Sequence, residues 1–379
     1  MIPNKCRTWV EVDLDAIVSN YREASLLLKP GCKVMSILKA DAYGLGAAPI
    51  ANALEATGCR HFGVAYLDEA IELRENGIQS RLLTFAPIPE ELSGIALSNH
   101  IESPVVSYAQ AKRLSNSLPY GSKLKVHIKL DVGLSRIGIP VRNRFAEAKA
   151  EAMRIFSLPR LEVIALMGHI TGSSGPAGDA LNRAQLKLYT HMATELENEG
   201  LHFEKHCLSS QPFLKYPEYA FDFVRLGALL YGSMPGFVVP FALKPVIGLY
   251  SKILQVKSIP EGTPVSYGPL YHTLRETTIA TIGVGFSDGI RRSVVNKGSV
   301  LLHGKKVPFA GMLCSDYAML DVTDVPNVVE GDIVTIFGRS GDLFQGIEDY
   351  AAIYPASVSE TTAQLSKRLP RFYFSSHIE

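Results

Sequence analysis

The stretch Val34-Met-Ser-Ile-Leu-Lys-Ala-Asp-Ala-Tyr-Gly-Leu-Gly46 decides how the rest of the chain is read. The apolar run from Val34 to Leu38 has the length of a buried strand and delivers a single lysine, Lys39, to its end. Tyr43, Gly44 and Gly46 follow at once. A half-buried lysine loses its proton readily and attacks carbonyl carbon, and glycines let the backbone come close to a bound group. Taken alone, Lys39 to Gly44 fits a strand-end lysine that merely meets solvent equally well, so the surrounding pattern has to decide.

Outward from this stretch, short apolar runs alternate with longer runs of helical period. Ala16 to Leu28 reads as a helix, Lys33 to Leu38 as a strand, Ala48 to Thr57 as a helix and His61 to Ala65 as a strand. The alternation continues through Asp68 to Asn76, Arg81 to Phe85, Glu90 to Leu97, Ile101 to Val106, Tyr108 to Asn116 and Lys123 to Leu130. Arg142 to Phe156, Leu161 to Gly168, Arg183 to Glu199 and His206 to Ser209 complete it. About eight such units predict an α/β fold, a closed (β/α)8 TIM-type barrel over residues 13–240, with chemistry at the strand C-terminal ends. Lys39, Lys129, His169 and Ser210 all fall at or just after such ends.

After Pro245 the runs become short, β-rich and separated by Gly, Pro and Asp, from Ser251 to Val256 through Asp332 to Phe337. Residues 241–379 therefore read as a mostly β C-terminal domain. Trp9 to Asp13 alternates apolar with polar residues, so the N-terminal strand within residues 1–12 is expected to join that domain. One helix is expected from Gly346 to Leu365.

Composition narrows the function classes. At 379 residues, with 47% hydrophobic and 20% charged residues, the chain has the make-up of a folded two-domain enzyme. The 38 basic and 37 acidic side chains leave no field to gather nucleic acid or anionic membrane. Neither is expected as a partner. The first residues lack the apolar core of a signal peptide and no run is long enough to span a bilayer, so a cytoplasmic protein is expected. The five cysteines are odd in number and form no CxxC, which argues against a disulfide framework or a metal site. Neither G-x-G-x-x-G, nor a Walker loop, nor H-E-x-x-H is present.

The lysine after the first barrel strand is joined by Lys129-Leu-Asp-Val-Gly-Leu-Ser-Arg-Ile-Gly138, Val224-Arg-Leu-Gly-Ala-Leu-Leu-Tyr-Gly232, Val265-Ser-Tyr-Gly268, Gly285-Phe-Ser-Asp-Gly289 and Arg368-Leu-Pro-Arg-Phe-Tyr373. In this order, across both expected domains, the chain resembles the alanine racemase family of fold-type III pyridoxal phosphate (PLP) enzymes. The resemblance implies racemisation of a small amino acid, most simply L- and D-alanine, by a two-base mechanism. It implies that Lys39 forms a Schiff base with PLP and acts as one base, and that Tyr267, supplied by the partner subunit of a homodimer, is the other. His169 is implied to contact that tyrosine. Arg225 is implied to face the pyridine nitrogen, with His206 behind it, and a guanidinium cannot accept the ring proton. Tyr43, Ser210, Gly227, Ala228 and Tyr373 are implied to bind the phosphate. Arg136 is implied to meet the cofactor hydroxyl and the substrate carboxylate, and Lys129 either to hold Arg136 as a carbamate or to remain a lysine in an ordinary ion pair.

The chain also departs from the family pattern. Gly168-His-Ile-Thr171 stands for the usual Thr-His-Phe-Ala, and His206-Cys-Leu-Ser-Ser210 for His-x-x-Asn-Ser. Phe286 replaces a tyrosine at the site entrance. In Gly311-Met-Leu-Cys-Ser-Asp316, Ser315 stands where the family has methionine, next to Asp316. The amide of Ser315 is implied to bind the substrate carboxylate, and its smaller, polar side chain opens serine or broader racemisation as an alternative. PLP-dependent decarboxylases and non-catalytic PLP-binding barrels are weaker alternatives, opposed by Arg225 and by the β domain carrying Tyr267 respectively.

Overall fold

The computed structural model describes residues 6–172, 174–268, 270–354 and 356–375. Two compact units partition the chain. One comprises residues 17–42 and 47–243, and the other residues 1–16, 43–46 and 244–379.

The first unit is a nearly closed barrel of eight parallel strands. They are Lys33–Ile37, His61–Val64, Arg81–Thr84, Ile101–Val105, Leu124–Asp131, Leu161–Met167, Glu204–His206 and Phe223–Leu226. Phe223–Leu226 pairs with Lys33–Ile37 in the register Val224↔Val34 and Arg225↔Met35. The remaining seam is held by the Ser209↔Arg225 bridge and by the Asp222 and Arg225 amides, which donate to the Lys205 and Leu208 carbonyls at 3.0 Å each. His61–Val64 and Ile101–Val105 are buried at every position. Strands covered on both faces are mostly apolar without alternation, as in Val34 to Leu38, although Ile101–Val105 buries Glu102 and Ser103 as well.

Barrel elements differ from the reading of the sequence at several points. The strand expected over His206 to Ser209 runs instead over Glu204–His206. The helix expected from Arg183 begins at Gly175, because Pro176 at its first turn is compatible with helix entry. Phe223–Leu226 supplies the eighth strand, which at four residues is too short to register as a separate run.

The second unit is a nine-stranded sheet. Thr8–Asp13 lies antiparallel to Ile247–Ile259 (Val10↔Leu249) and parallel to Arg371–Phe374 (Val10↔Arg371), so the N-terminal strand joins this sheet as expected. Trp9 is fully buried and stacks on Tyr250 at 5.7 Å, an anchor worth roughly 2–3 kcal/mol. The strand expected over Ser251 to Val256 runs over thirteen residues. Its first half pairs with Thr8–Asp13 and Ile333–Ser340, and its second half with Thr277–Ile282. The single helix expected from Gly346 to Leu365 is instead two, Ile347–Ala352 and Val358–Ala363. Pro355, which lacks an N–H, falls between them in the sequence. The five cysteines are free thiols.

Candidate active site

Lys39 is half-buried and opens the turn Lys39–Gly44, which is left-handed: Ala40, Asp41, Ala42 and Tyr43 have φ of 54°, 53°, 52° and 56°. Non-glycine residues pay about 1–2 kcal/mol each for this conformation, or roughly 4–8 kcal/mol for four. Such strain persists only where surrounding contacts over-determine it. Here the Ala40 amide donates to Glu69 Oε1 (2.6 Å), the Ala42 amide to the Leu38 carbonyl (2.7 Å) and the Ala47 amide to Asp41 Oδ1 (2.7 Å). Burial, and then the Arg136 guanidinium, lower the proton affinity of the Lys39 amine against the pull of Glu69.

Lys129 lies near the end of Leu124–Asp131 and is 3% exposed. Burial and then Arg225 bring its amine down to about 7, and its Nζ donates to the Leu130 carbonyl at 2.6 Å. The loop carrying Arg136 is folded by Asp131, whose Oδ1 accepts the amides of Gly133, Leu134 and Ser135 at 2.9–3.0 Å. Gly138, with φ +124°, closes this loop where a Cβ would lie 2.7 Å from the Lys129 carbonyl.

Arg225 is buried among acceptors that are all neutral. Its Nη1 donates to His206 Nδ1 (2.7 Å), and its Nη2 to the Gly168 carbonyl (2.9 Å), His169 Nδ1 (2.9 Å) and the Cys207 carbonyl (3.3 Å). Burial lowers it to about 10, so it remains a cation at neutral pH. His169 is held well below the ordinary histidine range by burial and then by Arg225, Arg136, Lys129 and Lys39. Four basic side chains thus converge on one neutral imidazole. Ser210, at the start of Ser210–Lys215, accepts the Gly227 amide at 3.1 Å and the Leu229 amide at 3.3 Å. Ala228, named from the sequence, lies between those two amides in the chain, whereas Leu229 was not foreseen.

The sheet unit gathers the other residues. Gly46, with φ +96°, leaves no room for a Cβ against the Tyr373 hydroxyl, and a Cβ on Gly44 would lie 2.6 Å from the Thr362 carbonyl. These glycines therefore admit the chain's own side chain and backbone. Their requirement differs in this respect from the close approach to a bound group expected from the sequence. Tyr267 is 70% exposed. Beside it, Ser266 has φ +66° and donates from Oγ to the Met312 carbonyl at 2.6 Å, and Gly311 abuts the Val265 carbonyl. The Tyr267 and Ser315 segments are thereby tied together. Ser315 is fixed from its other side: the Phe286 and Ser287 amides donate to the Cys314 and Ser315 carbonyls at 3.0 Å each, and Gly285 leaves no space for a side chain there.

Asp316 pairs with Arg368 (2.8 Å), and Arg368 also pairs with the fully buried Asp288 (2.8 Å), which takes Arg7 (2.8 Å) and the Gly285 amide (2.9 Å). Burial opposes ionisation of Asp288, but these donors hold its carboxyl below the usual range. Arg368 and Asp288 belong to two of the motifs quoted above but had been given no role. Gly285-Phe-Ser-Asp-Gly289 also spells G-x-S-x-G, the letters of a serine-hydrolase elbow. It forms only a 3-10 turn, Phe286–Asp288, bound to the Ser315 loop.

Fold and site together define the class of isomerase in which a reactive lysine follows the first strand of a (β/α)8 barrel joined to a mostly β unit. The family profile for the alanine racemase N-terminal domain matches residues 12–235, and that for the C-terminal domain matches residues 246–373. The chain is 37% identical over 369 residues to the alanine racemase of Desulfovibrio desulfuricans, covering 96% of this chain and 97% of that one. It is 32% identical over 375 residues to that of Methanococcus maripaludis, with 96% and 98% covered. Among solved structures, the alanine racemase of Clostridium difficile 630 superposes with a TM-score of 0.91 at 29% identity, covering 99% and 97% of the two chains. That of Bartonella henselae with covalently bound pyridoxal phosphate superposes at 0.86 and 27% identity, covering 97% and 100%. The chain belongs to the alanine racemase family.

Proposed function

We propose that the protein interconverts L- and D-alanine with pyridoxal phosphate carried on Lys39, by a two-base mechanism. The observation that carries this reading is the pairing, in one barrel mouth, of a lysine of lowered proton affinity with a buried guanidinium whose hydrogen-bond acceptors include no carboxylate. The residues present fit the cofactor. Lys39 suits the imine, Arg225 the ring nitrogen and Arg136 a carboxylate, and Ser210 with the Gly227 and Leu229 amides offers hydroxyl and N–H groups to a phosphate. Tyr43, Ala228 and Tyr373 are assigned to the same phosphate.

When bound, the cofactor supplies an electrophilic carbon for Lys39 and an electron-withdrawing ring that acidifies the substrate α-carbon. Arg225 donates towards the ring nitrogen and cannot take a proton from it, which weakens that withdrawal and disfavours side reactions such as transamination. Lys39, as a free amine, takes or returns the α-proton on one face. Tyr267, from a second copy of the chain, serves the other face, so a homodimer is required. His169 accepts from Arg225 at Nδ1, so its own proton sits on Nε2, available to stabilise the ionised phenol of Tyr267. Arg136, held by a carbamate on Lys129, and the Ser315 amide orient the substrate carboxylate, with Asp316 and Arg368 bracing the Ser315 loop.

The test is a chiral assay over a panel of small amino acids with PLP supplied. Equal approach to the racemic mixture from L- and D-alanine is the expected result. Turnover of serine or a larger amino acid without alanine would overturn the substrate assignment, and loss of the amino acid to decarboxylation would overturn the reaction class.

A further inference from the structure

A second feature of the barrel unit begins at Arg225 and runs away from the mouth. Arg225 Nη1 meets His206 Nδ1 at 2.7 Å, and His206 Nε2 meets His127 Nδ1 at 2.8 Å. His127 Nε2 meets Glu102 Oε2 at 2.9 Å, and Glu102 Oε1 takes Arg81 Nε at 2.7 Å. Arg81 Nη1 then reaches Glu204 Oε2 at 2.9 Å. His206 and His127 are 0% exposed, and Arg225 and Glu102 are 3% exposed, so water does not relieve an unmatched group in the middle of the chain. Glu102 and Arg81 lie at the N-terminal ends of their strands, opposite the mouth.

Donor chemistry allows these bonds only one direction. A guanidinium has no acceptor, so His206 Nδ1 must accept and its proton must sit on Nε2. That N–H requires an acceptor, so His127 Nδ1 carries a lone pair and the His127 proton sits on Nε2. It points at a carboxylate, where an acceptor is in place. Glu102 is kept ionised by its donors: burial alone would raise it, but His127 and Arg81 hold it well below the ordinary carboxylate range. Reversing any one link would put two N–H groups face to face in a site without water, at a cost of about 1–3 kcal/mol for each buried group left unmatched.

The charges follow the same order. Among the described residues, Arg225 is a buried cation with no carboxylate among its hydrogen-bond or ion-pair partners. A carboxylate at the end of two polarisable imidazoles makes His206 Nδ1 a stronger acceptor than an isolated imidazole would be. Glu102 is therefore a counter-charge for Arg225 acting at a distance, and Arg81 at the barrel base does not neutralise it alone because Glu204 shares the same guanidinium.

We propose that His127 and Glu102 are positioning residues for the reaction: with His206 they form a one-way hydrogen-bond relay that fixes the direction in which Arg225 donates and supplies its counter-charge. The relay stands on this geometry alone, whereas its bearing on turnover rests on the racemase reading of Arg225.

The experiment pairs nitrogen-15 NMR of histidine-labelled protein, with and without PLP, with alanine kinetics. In the wild type His206 and His127 are each expected to carry a proton at Nε2 and a lone pair at Nδ1. His127→Gln, whose amide accepts and donates at similar positions, is expected to keep the His206 tautomer and most of kcat. His127→Leu is expected to admit the second His206 tautomer and to lower kcat about 10–100-fold, the usual loss when an orienting partner is removed, with a smaller change in KM. Glu102→Gln keeps an acceptor for His127 but removes the charge, and should lower kcat while leaving the tautomer in place. A wild-type His206 protonated at Nδ1 would overturn the relay, even if no variant folds. Wild-type kcat in both His127→Leu and Glu102→Gln would overturn its role in turnover. Wild-type protein with the expected tautomers but no alanine racemisation would sink the functional reading and leave the relay standing.

Discussion

Replacing Ala40 by glycine should stabilise this protein, although the same change in an ordinary helix destabilises. Ala40 is exposed, its φ is +54°, and its methyl group is all that glycine removes. Relief of the left-handed penalty is worth about 1–2 kcal/mol. The greater freedom of glycine in the unfolded chain takes back about 0.5–1 kcal/mol. The net gain is about 0.5–1 kcal/mol, or ~1 °C in melting temperature for a chain of this size. Ala53→Gly, inside the right-handed helix Ala47–Ala56, is the matched control and should lose about 1 kcal/mol. Both variants would be melted alongside the wild type, with and without PLP. If Ala40→Gly melts below the wild type, or moves in the same direction as Ala53→Gly, the turn after Lys39 is not strained as described. Because the turn also aims Lys39, the stabilised variant should show a lower kcat, the familiar cost of relaxing a strained functional segment.

Four further outcomes follow from the site. Borohydride reduction and peptide mapping should place the pyridoxyl group on Lys39, and its appearance on Lys129 would reverse their roles. Mixing inactive Lys39→Ala and Tyr267→Phe chains should restore partial activity through subunit exchange, and mixed dimers that stay inactive would count against a shared site. Ser315→Met should shift the alanine-to-serine ratio of kcat/KM towards alanine by about 1–3 kcal/mol of discrimination, whereas an unchanged ratio would mean that Ser315 does not shape the pocket. Lys129 is neutral above about 7 in the fold but only above its ordinary 10.5 when unfolded. Between those values the unfolded chain binds more protons, so the cost of burying Lys129 is full below pH 7 and fades as pH rises. The stability advantage of Lys129→Met over the wild type should accordingly shrink from neutral to alkaline pH. Carbon-13 bicarbonate should also yield a carbamate signal that this variant lacks, because an uncharged amine beside Arg225 and Arg136 favours an anionic adduct.

Much of the barrel was legible in the residues, because strands buried on both faces are mostly apolar and helices between them carry a 3.6-residue stripe. Phe223–Leu226 was harder to read because four residues carry too little periodicity. The break between Ile347–Ala352 and Val358–Ala363 was available in Pro355 and was passed over. His127 had a signal as well. It stands two residues before Lys129 on one strand, so both side chains leave the same face. Glu102 carried no comparable mark, since an acidic residue in a short strand reads as an edge or surface position until its partners are known.

The sequence by itself determined the fold class and the family, because both depend on side-chain type at a given spacing. Only the tertiary structure decided the left-handed turn after Lys39, the closeness of Gly46 to Tyr373 and the relay from Arg225 to Glu102. Each depends on groups far apart in the chain meeting at hydrogen-bond or contact distance. The direction of a hydrogen bond, the proton affinity of a buried amine and the sign of a φ angle are properties of that meeting and not of any one residue.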